Sequence, residues 1–175
     1  MCRLSGPLTF AAMNAPLRTP IRFDVQGLRH AMAHNLSDDA FHLSLTNSQW
    51  ELLGTYLQPF AVNQGQVLIE QNATDRTVYV VESGMLTVHY EDEKNRLRLA
   101  SVGPGSAVGE GAFFTRHPRN ATVQAAAECK IWSLTPIRFT ELVNRQPAMA
   151  VEICLALGAL VSRRLANRPK RVAVT

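Results

Sequence analysis

The stretch from residue 60 to residue 134 is a series of short apolar runs separated by turns, and it constrains the fold more than any other part of the chain. The runs are rich in apolar and β-branched residues, as β-strands are. They are Val67–Ile69, Thr77–Val81, Met85–Tyr90, Leu97–Ser101, Thr122–Ala126 and Lys130–Leu134. Turns at Glu82–Gly84, Glu91–Asn95 and Gly103–Gly105 separate several of them. This pattern favours a compact antiparallel barrel or roll, and since no segment is repeated in tandem we expect one ligand site.

Helical patterns flank the β-rich stretch on both sides. Before it, a four-residue spacing between residues 21 and 40 predicts one short helix, and the N-cap cluster Thr46–Ser48 predicts a second. The spaced residues are Asp24, Leu28, Met32 and Leu36. After it, Pro136 and Pro147 each begin a helix. The last helix has a core-facing i, i+4 ridge of Met149, Ile153, Leu157, Val161 and Leu165. Its other apolar residues, such as Leu155 and Leu160, are open to a partner or a second copy.

The segment Gly105–Val123 has the residues of a site for a phosphate joined to a sugar. Gly109 and Gly111 flank Glu110, so a ligand can approach the main chain without meeting a β-carbon. A helical turn starting at Glu110 would direct free N–H groups at an anion. Arg119, nine residues later, has a planar guanidinium that matches two phosphate oxygens. Because a carboxylate repels phosphate but accepts from hydroxyls, Glu110 suits a ribose 2′-OH.

The segment from Val108 to Ala125 closely resembles the phosphate-binding cassette of cyclic nucleotide-binding domains. This family includes the catabolite activator protein, the regulatory subunits of protein kinase A and cyclic nucleotide-gated channels. The stretch Gly65–Gly84 is also similar to the family's early strands, and the likeness extends over residues 46 to 168. The resemblance implies a mainly β fold with flanking α-helices: an antiparallel β-roll (a jelly-roll-like double-stranded β-helix) with N-terminal helices and two C-terminal helices.

The resemblance also implies which residues contact the ligand. In the family, the glutamate matching Glu110 binds the ribose 2′-OH and the arginine matching Arg119 pairs with the cyclic phosphate. Amides near the cassette helix and just after the arginine complete the cradle, and Arg164 stands where relatives place a base-contacting residue. The implied ligand-binding residues are Gly109, Glu110, Gly111, Ala112, Arg119, Asn120, Ala121 and Arg164. No catalytic residue and no metal ligand is predicted.

Three positions depart from the family pattern. Asn72 replaces a turn glycine, which is tolerable because asparagine enters the left-handed region more readily than most residues. Gly111 replaces a usual aliphatic residue and predicts a looser cassette helix. Asn120 stands where the family often has alanine, serine or threonine, a position that often bears on the choice of base. Both cyclic AMP and cyclic GMP therefore stay open as ligands.

The function implied by the resemblance is a regulatory sensor with no enzymatic activity and no catalytic cofactor, in which the last helix closes over the bound base. Three alternatives remain: a nucleotide-free roll that is an interaction module, a roll for another phosphorylated ligand such as a cyclic dinucleotide, and a cupin-like metalloenzyme. The metalloenzyme needs clustered histidines, whereas His89 stands alone in its run and the pair His30 and His34 has no nearby third ligand.

Composition predicts the number of domains and the cellular compartment of this chain. A chain of 175 residues with 46% hydrophobic residues fits a single domain. Cys2, Cys129 and Cys154 have no metal-ligand spacing and predict free thiols in a reducing compartment. No apolar run is long enough to span a membrane, so we expect a cytoplasmic protein that does not bind membranes. The basic residues 163–171 predict a solvated helix end rather than a nucleic-acid site, because too few residues follow for a helix-turn-helix.

The predicted organisation is one domain between two short extensions. Partners implied are the cyclic nucleotide and either another protein or a second copy, bound through the C-terminal helix. The predicted segments are a flexible arm at 1–20, a single domain at 21–168 and a basic tail at 169–175. Within the domain these are a helical lead-in at 21–59, a β-roll at 60–134 with the cassette at 105–123, and hinge and lid helices at 135–168.

Overall fold

The computed structural model describes residues 22–91 and 97–167, which form helices at both ends and a β-roll between them. The helices are α1 (Val25–His34), α2 (Asn47–Tyr56), α3 (Glu110–Thr115), α4 (Pro136–Arg145) and α5 (Pro147–Ala166). The strands are β1 (Gln58–Val62), β2 (Val67–Ile69), β3 (Val78–Ser83), β4 (Leu86–Glu91), β5 (Leu97–Val102), β6 (Ala107–Val108), β7 (Thr122–Ala125) and β8 (Cys129–Leu134).

The strands pair into two antiparallel four-stranded sheets. One sheet has the order β1-β8-β3-β6 and the other has the order β2-β7-β4-β5. Strands that are distant in sequence, such as β1 and β8, lie side by side, with Phe60 opposite Ile131. This topology is the expected β-roll, and the predicted fold class is confirmed.

Alternation along the strands divides the core into two layers. In β8, Ile131 packs between the two sheets while its neighbour Trp132 faces the helices. Successive side chains of a strand point to opposite faces, so one strand contributes to both layers. The helical layer contains α1, α2, α4 and α5 against one face of the first sheet, and this packing holds α5 beside the roll.

The helices begin at capping residues and prolines that the sequence shows. Thr46 caps α2 in a reciprocal capping box with Gln49. Pro136 opens α4 under an N-cap hydrogen bond from Arg138 N–H to the Thr135 hydroxyl, and Pro147 opens α5. All of these starts agree with the sequence-based expectations.

Several side chains differ from their predicted positions. Leu36 is 94% exposed and lies beyond the end of α1, so it does not belong to the helix face that contains Leu28 and Met32. In α5 the buried ridge runs through Leu157 to Leu160, and the predicted ridge positions Val161 and Leu165 are 37% and 63% exposed. A strict four-residue step drifts around a helix of 3.6 residues per turn, so a three-residue step brings the ridge back toward the core. Leu160 is therefore part of the core and does not face a partner.

Two strands were not predicted. β1 contains Pro59, which lies at a sheet edge, and β6 has only two residues, so neither has a recognisable alternation. The six predicted runs all form strands, with ends that shift by at most two residues. The predicted arm at 1–20 and basic tail at 169–175 lie outside the described residues, and the division into segments stays a prediction.

Candidate phosphate and ribose site

The N-terminus of α3 begins with a glycine in the left-handed conformation. Gly109 has a φ of 88° and is the N-cap of α3, with no side-chain cap. A β-carbon there would lie 2.5 Å from Arg119 Nη1 and 2.7 Å from the Thr77 carbonyl oxygen, so conformation and space both require glycine. The backbone N–H groups of residues 110–112 have no acceptor within the helix. Together with the positive end of the helix dipole, they make this turn suitable for an anion.

Arg119 lies against this turn and is only 3% exposed. Its Nη1 donates to the Gly109 carbonyl at 2.9 Å, and its Nη2 donates to the Thr77 carbonyl at 2.7 Å. Its Nε donates to Asp75 Oδ2 at 3.1 Å, and Nη2 also donates to Asp75 Oδ1. A guanidinium has five N–H donors. These four hydrogen bonds within the described residues fix its plane and leave one N–H, on Nη1, for a ligand.

Asp75 orients Arg119, and sequence reasoning did not single it out. The Asn72 N–H donates to the Arg119 carbonyl and the Arg119 N–H donates to the Ala73 carbonyl, both at 2.8 Å, which fastens the loop before β3 to the arginine. Asn72 has a φ of 68°, as expected for a substitute for a turn glycine. The hydrogen bond from Arg119 lowers the pKa of the Asp75 carboxyl, so this group stays ionised at neutral pH. An aspartate just before a strand is too common a signal to predict this role.

Glu110 forms an ion pair with the C-terminal helix. Arg164 Nη1 donates to Glu110 Oε1 at 2.8 Å, and the two side chains are 13% and 17% exposed. Oε2 of Glu110 receives no hydrogen bond from the described residues. The resemblance placed Arg164 at the base, whereas in this structure it contacts the carboxylate predicted to bind the ribose.

Arg164 also joins two other segments of the molecule. Its Nε donates to Asp39 Oδ1 at 3.0 Å, and its Nη2 donates to the Ser106 hydroxyl at 3.2 Å and the Ala107 carbonyl at 2.8 Å. Burial by itself lowers the pKa of this guanidinium, but Glu110 and Asp39 raise it and the net direction is upward. Arg164 therefore links α5, the α1–α2 connection and the start of α3 at one point.

The remaining predicted site residues lie around the same turn. Ala112 is buried in α3, and Asn120 and Ala121 follow Arg119 directly at the entry to β7. Asn120 is exposed, and its Nδ2 lies 3.8 Å from the place of a β-carbon on Gly111. The fold therefore brings the turn at 109–112 and the segment 119–121 together, and Arg164 approaches from α5.

A cleft beside α1 lies outside the cassette. It has a volume of about 940 Å³ and is bordered by His30, His34, Asp38 and Met85, among others, but by none of the cassette residues. Shape alone would favour this cleft, whereas the chemistry for binding an anion is concentrated at the cassette. The described residues that border the cleft include no arginine or lysine, so the cassette is the better candidate for binding an anion.

Histidines do not form a metal site in the described part of the chain. The rings of His30 and His34 stack with centroids 3.9 Å apart, but no group of three or more His, Cys, Asp or Glu side chains in the described ranges could hold a metal ion. No helix within residues 22–91 and 97–167 is long and apolar enough to cross a membrane.

Comparison with known proteins places the chain in a family. The family model described as the cyclic nucleotide-binding domain matches residues 59–146, half of the chain. The chain belongs to the cyclic nucleotide-binding domain family. The matched range extends from β1 through the cassette to the end of α4, so it contains Asp75, Glu110 and Arg119.

Individual relatives agree with this assignment. The cAMP-dependent protein kinase regulatory subunit of Eremothecium gossypii is 29% identical over 122 residues, which is 70% of this chain and 25% of that protein. The chain thus spans about a quarter of that relative's length. A cyclic nucleotide-binding domain from Methylobacillus flagellatus has a TM-score of 0.74 at 17% identity, over 85% of this chain and 82% of that one. The regulatory domain of Toxoplasma gondii PKA with cAMP has a TM-score of 0.52 at 26% identity, over 67% and 42% of the two chains.

Proposed function

We propose that this domain binds a cyclic nucleotide, cyclic AMP or cyclic GMP, and transmits occupancy of the site through α5. The observation that carries the proposal is the fixed guanidinium of Arg119, which Asp75 and two backbone carbonyls hold with one N–H still available. That N–H belongs to Nη1, which also donates to the carbonyl of Gly109, the N-cap of α3. A charged donor and uncapped amides at one turn suit a phosphate diester.

The phosphate group is proposed to bind between Arg119 and the amides of residues 110–112 and 120–121. Arg119 needs little side-chain ordering on binding, because its rotamer is already fixed. Asp75 already balances the buried positive charge of Arg119, so the single negative charge of a cyclic phosphate would be stabilised by the remaining N–H of Nη1 and by the free amides of the turn. Binding thus requires little rearrangement of the phosphate end of the site.

The ribose is proposed to bind through Glu110. Its Oε1 already accepts a hydrogen bond from Arg164, and its Oε2 accepts none from the described residues. A 2′-OH can donate to Oε2. A ligand without that hydroxyl would leave the oxygen with water only, so a 2′-deoxy cyclic nucleotide should bind more weakly.

Signalling is proposed to follow from the link between Glu110 and α5. Since Arg164 pairs with the carboxylate that holds the ribose, the position of the last turn of α5 depends on the state of the site. A ligand that binds one arrangement of α5 more tightly shifts the population toward that arrangement. The change is then available to a partner protein or to a second copy of the chain.

The base of the proposed ligand is either adenine or guanine. Asn120 is exposed beside Gly111 and has both a donor and an acceptor for a base edge. We further propose that the domain does not turn over its ligand, needs no catalytic cofactor and resides in the cytoplasm, where Cys129 and Cys154, free in this structure, would stay reduced.

A thermal-shift panel tests this function and separates it from the alternatives. We expect cyclic AMP or cyclic GMP at concentrations well above Kd to raise the Tm, because a ligand that binds only the folded state stabilises it. Stabilisation by a cyclic dinucleotide alone would redirect the proposal to that ligand class. Stabilisation by divalent metals alone would favour the cupin-like metalloenzyme, and no response would favour an interaction module.

A further inference from the structure

A pocket of about 430 Å³ lies between α1 and the start of α2, separate from the cassette. Its border is formed by residues of α1, of the connection at 42–46 and of α2, and it includes none of the predicted nucleotide-binding residues. Small-molecule sites usually have volumes of about 300 to 1,000 Å³. This cavity, here called the α1–α2 pocket, is therefore large enough for a small organic molecule.

Trp50 gives the α1–α2 pocket a hydrogen-bond donor that has no acceptor. The Trp50 side chain borders the pocket, is only 3% exposed and packs in the helical core layer. Its Nε1 donates to no group in residues 22–91 and 97–167. In those ranges every side-chain nitrogen or oxygen that is sealed from solvent has a partner, so Nε1 must lie at the open edge of the ring, on the side of the pocket. A nearly buried donor without a partner is unfavourable, and an acceptor in the pocket would satisfy it.

Arg29 borders the same pocket with half of its guanidinium unused. Its Nη1 donates to Asn47 Oδ1 at 2.6 Å and to Gln26 Oε1 at 3.4 Å, which holds the plane of the group. Its Nε and Nη2 donate to no acceptor in the described part of the chain, and no carboxylate pairs with it there. These two nitrogens lie side by side and match the two oxygens of a carboxylate. Arg29 is therefore an oriented cation without a counter-charge among the described residues.

The geometry of α2 brings the two donor groups together. Asn47, which holds Arg29, is three residues before Trp50, so both residues of α2 lie on one face of the helix. The Cβ atoms of residues at this spacing are about 5–6 Å apart. One small ligand can therefore contact the Arg29 guanidinium and the Trp50 indole at the same time.

The charge around the pocket favours an anion. Arg29 is the one residue with a permanent charge on the described border, because no lysine, aspartate or glutamate lines the pocket. Thr46, which also lines it, is the N-cap of α2, so the positive end of that helix dipole lies at the border. The His42 ring adds an N–H donor in either protonation state. Since one positive charge balances one negative charge, a monoanion suits the pocket better than a phosphate monoester with two.

The rest of the border is largely apolar and indicates which kind of anion fits. Its apolar residues are Met32, Ala33, Leu43 and Leu45. An inorganic anion would leave this surface uncovered, whereas the hydrocarbon part of an organic acid would cover it. We propose that the α1–α2 pocket binds a small aliphatic monocarboxylate, with its carboxylate on Arg29 and Trp50 and its hydrocarbon part against the apolar residues. The proposal does not depend on nucleotide binding.

A titration with sodium hexanoate, followed by nitrogen–proton correlation spectra of the indole N–H groups, tests the site directly. The chain has two tryptophans, and Trp132 is an internal control because its Nε1 already donates to Glu82 Oε2 at 2.6 Å. Hexanoate should move the Trp50 indole signal downfield, since a hydrogen bond to a carboxylate deshields the proton, and leave the Trp132 signal in place. Hexanol has the same chain length without the charge and should bind at least about tenfold more weakly. Sodium phosphate should leave the Trp50 signal unmoved at concentrations where hexanoate saturates it.

Substitutions separate the two donors and the cassette. Arg29→Gln removes the charge and the fork, so it should weaken hexanoate binding at least about tenfold in calorimetry. Trp50→Phe keeps an aromatic ring in the core but loses the N–H, and it should weaken binding about 3- to 10-fold. Arg145→Gln, at an exposed arginine at the end of α4, is the matched control and should bind hexanoate as the parent does. Arg119→Lys should also bind hexanoate normally, which distinguishes failure of this site from failure of the nucleotide site.

The outcomes that would overturn the proposal are equally specific. They are a Trp50 signal that hexanoate does not move, equal shifts at Trp50 and Trp132, hexanol binding as tightly as hexanoate, and a response to phosphate alone. Parental affinity in a folded Arg29→Gln protein would overturn it too. If Arg29→Gln does not fold, the Trp50→Phe protein decides, since unchanged hexanoate affinity there would show that the indole N–H is not a ligand-binding donor.

Discussion

The carboxylate of Glu110 and the guanidinium of Arg164 form a hydrogen-bonded ion pair, with 2.8 Å between Oε1 and Nη1, that fastens the last turn of α5 to the first residue of α3. The same guanidinium donates to Asp39 at 3.0 Å. The position of the C-terminal helix and the Glu110 carboxylate, which we propose binds the ribose, are thereby linked through one side chain.

Replacing Arg164 should loosen α5. In Arg164→Ala, the carboxylates of Glu110 and Asp39 lose a shared, largely buried counter-charge, which should lower the free energy of unfolding by about 3 kcal/mol. Amide hydrogen exchange in the last two turns of α5 should accelerate. Arg138→Ala, which removes an exposed pair with Glu141, should change stability by less than about 1 kcal/mol. Unchanged exchange at the end of α5 would show that Arg164 does not hold the helix.

Arg119 should be essential for the phosphate. Arg119→Lys keeps the charge but loses the planar fork that bonds Asp75, Gly109 and Thr77. Charge-assisted hydrogen bonds are each worth about 1.5–3 kcal/mol, so cyclic nucleotide affinity measured by calorimetry should fall about 10- to 100-fold. Arg116→Lys, an exposed cassette position, is the control and should bind as the parent does. Equal affinity in both variants would contradict the role of Arg119.

The two cassette glycines should respond oppositely to alanine. Gly109→Ala puts a β-carbon 2.5 Å from Arg119 Nη1 at a φ of 88°, so it should destabilise the fold and displace the arginine, with a loss of ligand affinity. Gly111→Ala meets nothing closer than 3.8 Å and lies inside α3, so it should be neutral or stabilise by about 0.5–1 kcal/mol. Urea unfolding of both proteins measures the difference. A destabilised Gly111→Ala would mean that this glycine has a structural requirement of its own.

The Asp75 ion pair should give the domain an acid-sensitive component. Arg119 holds the pKa of Asp75 below its ordinary value, so the stabilisation is complete above the unfolded-state pKa of about 3.9 and is lost as the pH falls through the lower folded-state pKa. Asp75 is 48% exposed, so screening by solvent keeps the contribution below about 1 kcal/mol. The stability difference between the parent and Asp75→Asn, measured in urea at several pH values, should be present at neutral pH and shrink below about pH 4. A difference that does not vary with pH would refute this origin.

Much of the fold and half of the site follow from local sequence. The strands of the roll have a two-residue alternation that partitions side chains such as Ile131 and Trp132 between two cores, and turn glycines mark their ends. Helix starts are also local signals: Thr46 is an N-cap, and Pro136 and Pro147 each lie at the first position of a helix. The cassette also is local, since all of its glycines and Arg119 fall within one short segment and resemble a family pattern.

The tertiary structure alone decided the partners of those residues. Asp75 reaches Arg119 across 44 residues of sequence, and Arg164 reaches Glu110 across 54, because the roll closes and α5 packs back along it. Separations of this size do not correspond to any repeat of a helix or a strand, so sequence patterns do not predict these pairs. The sequence by itself thus determined which side chains we propose to hold a phosphate and a sugar. The packing of the sheets and of α5 decided which other groups fix those side chains, since ion pairs form wherever folding brings opposite charges within a few ångströms.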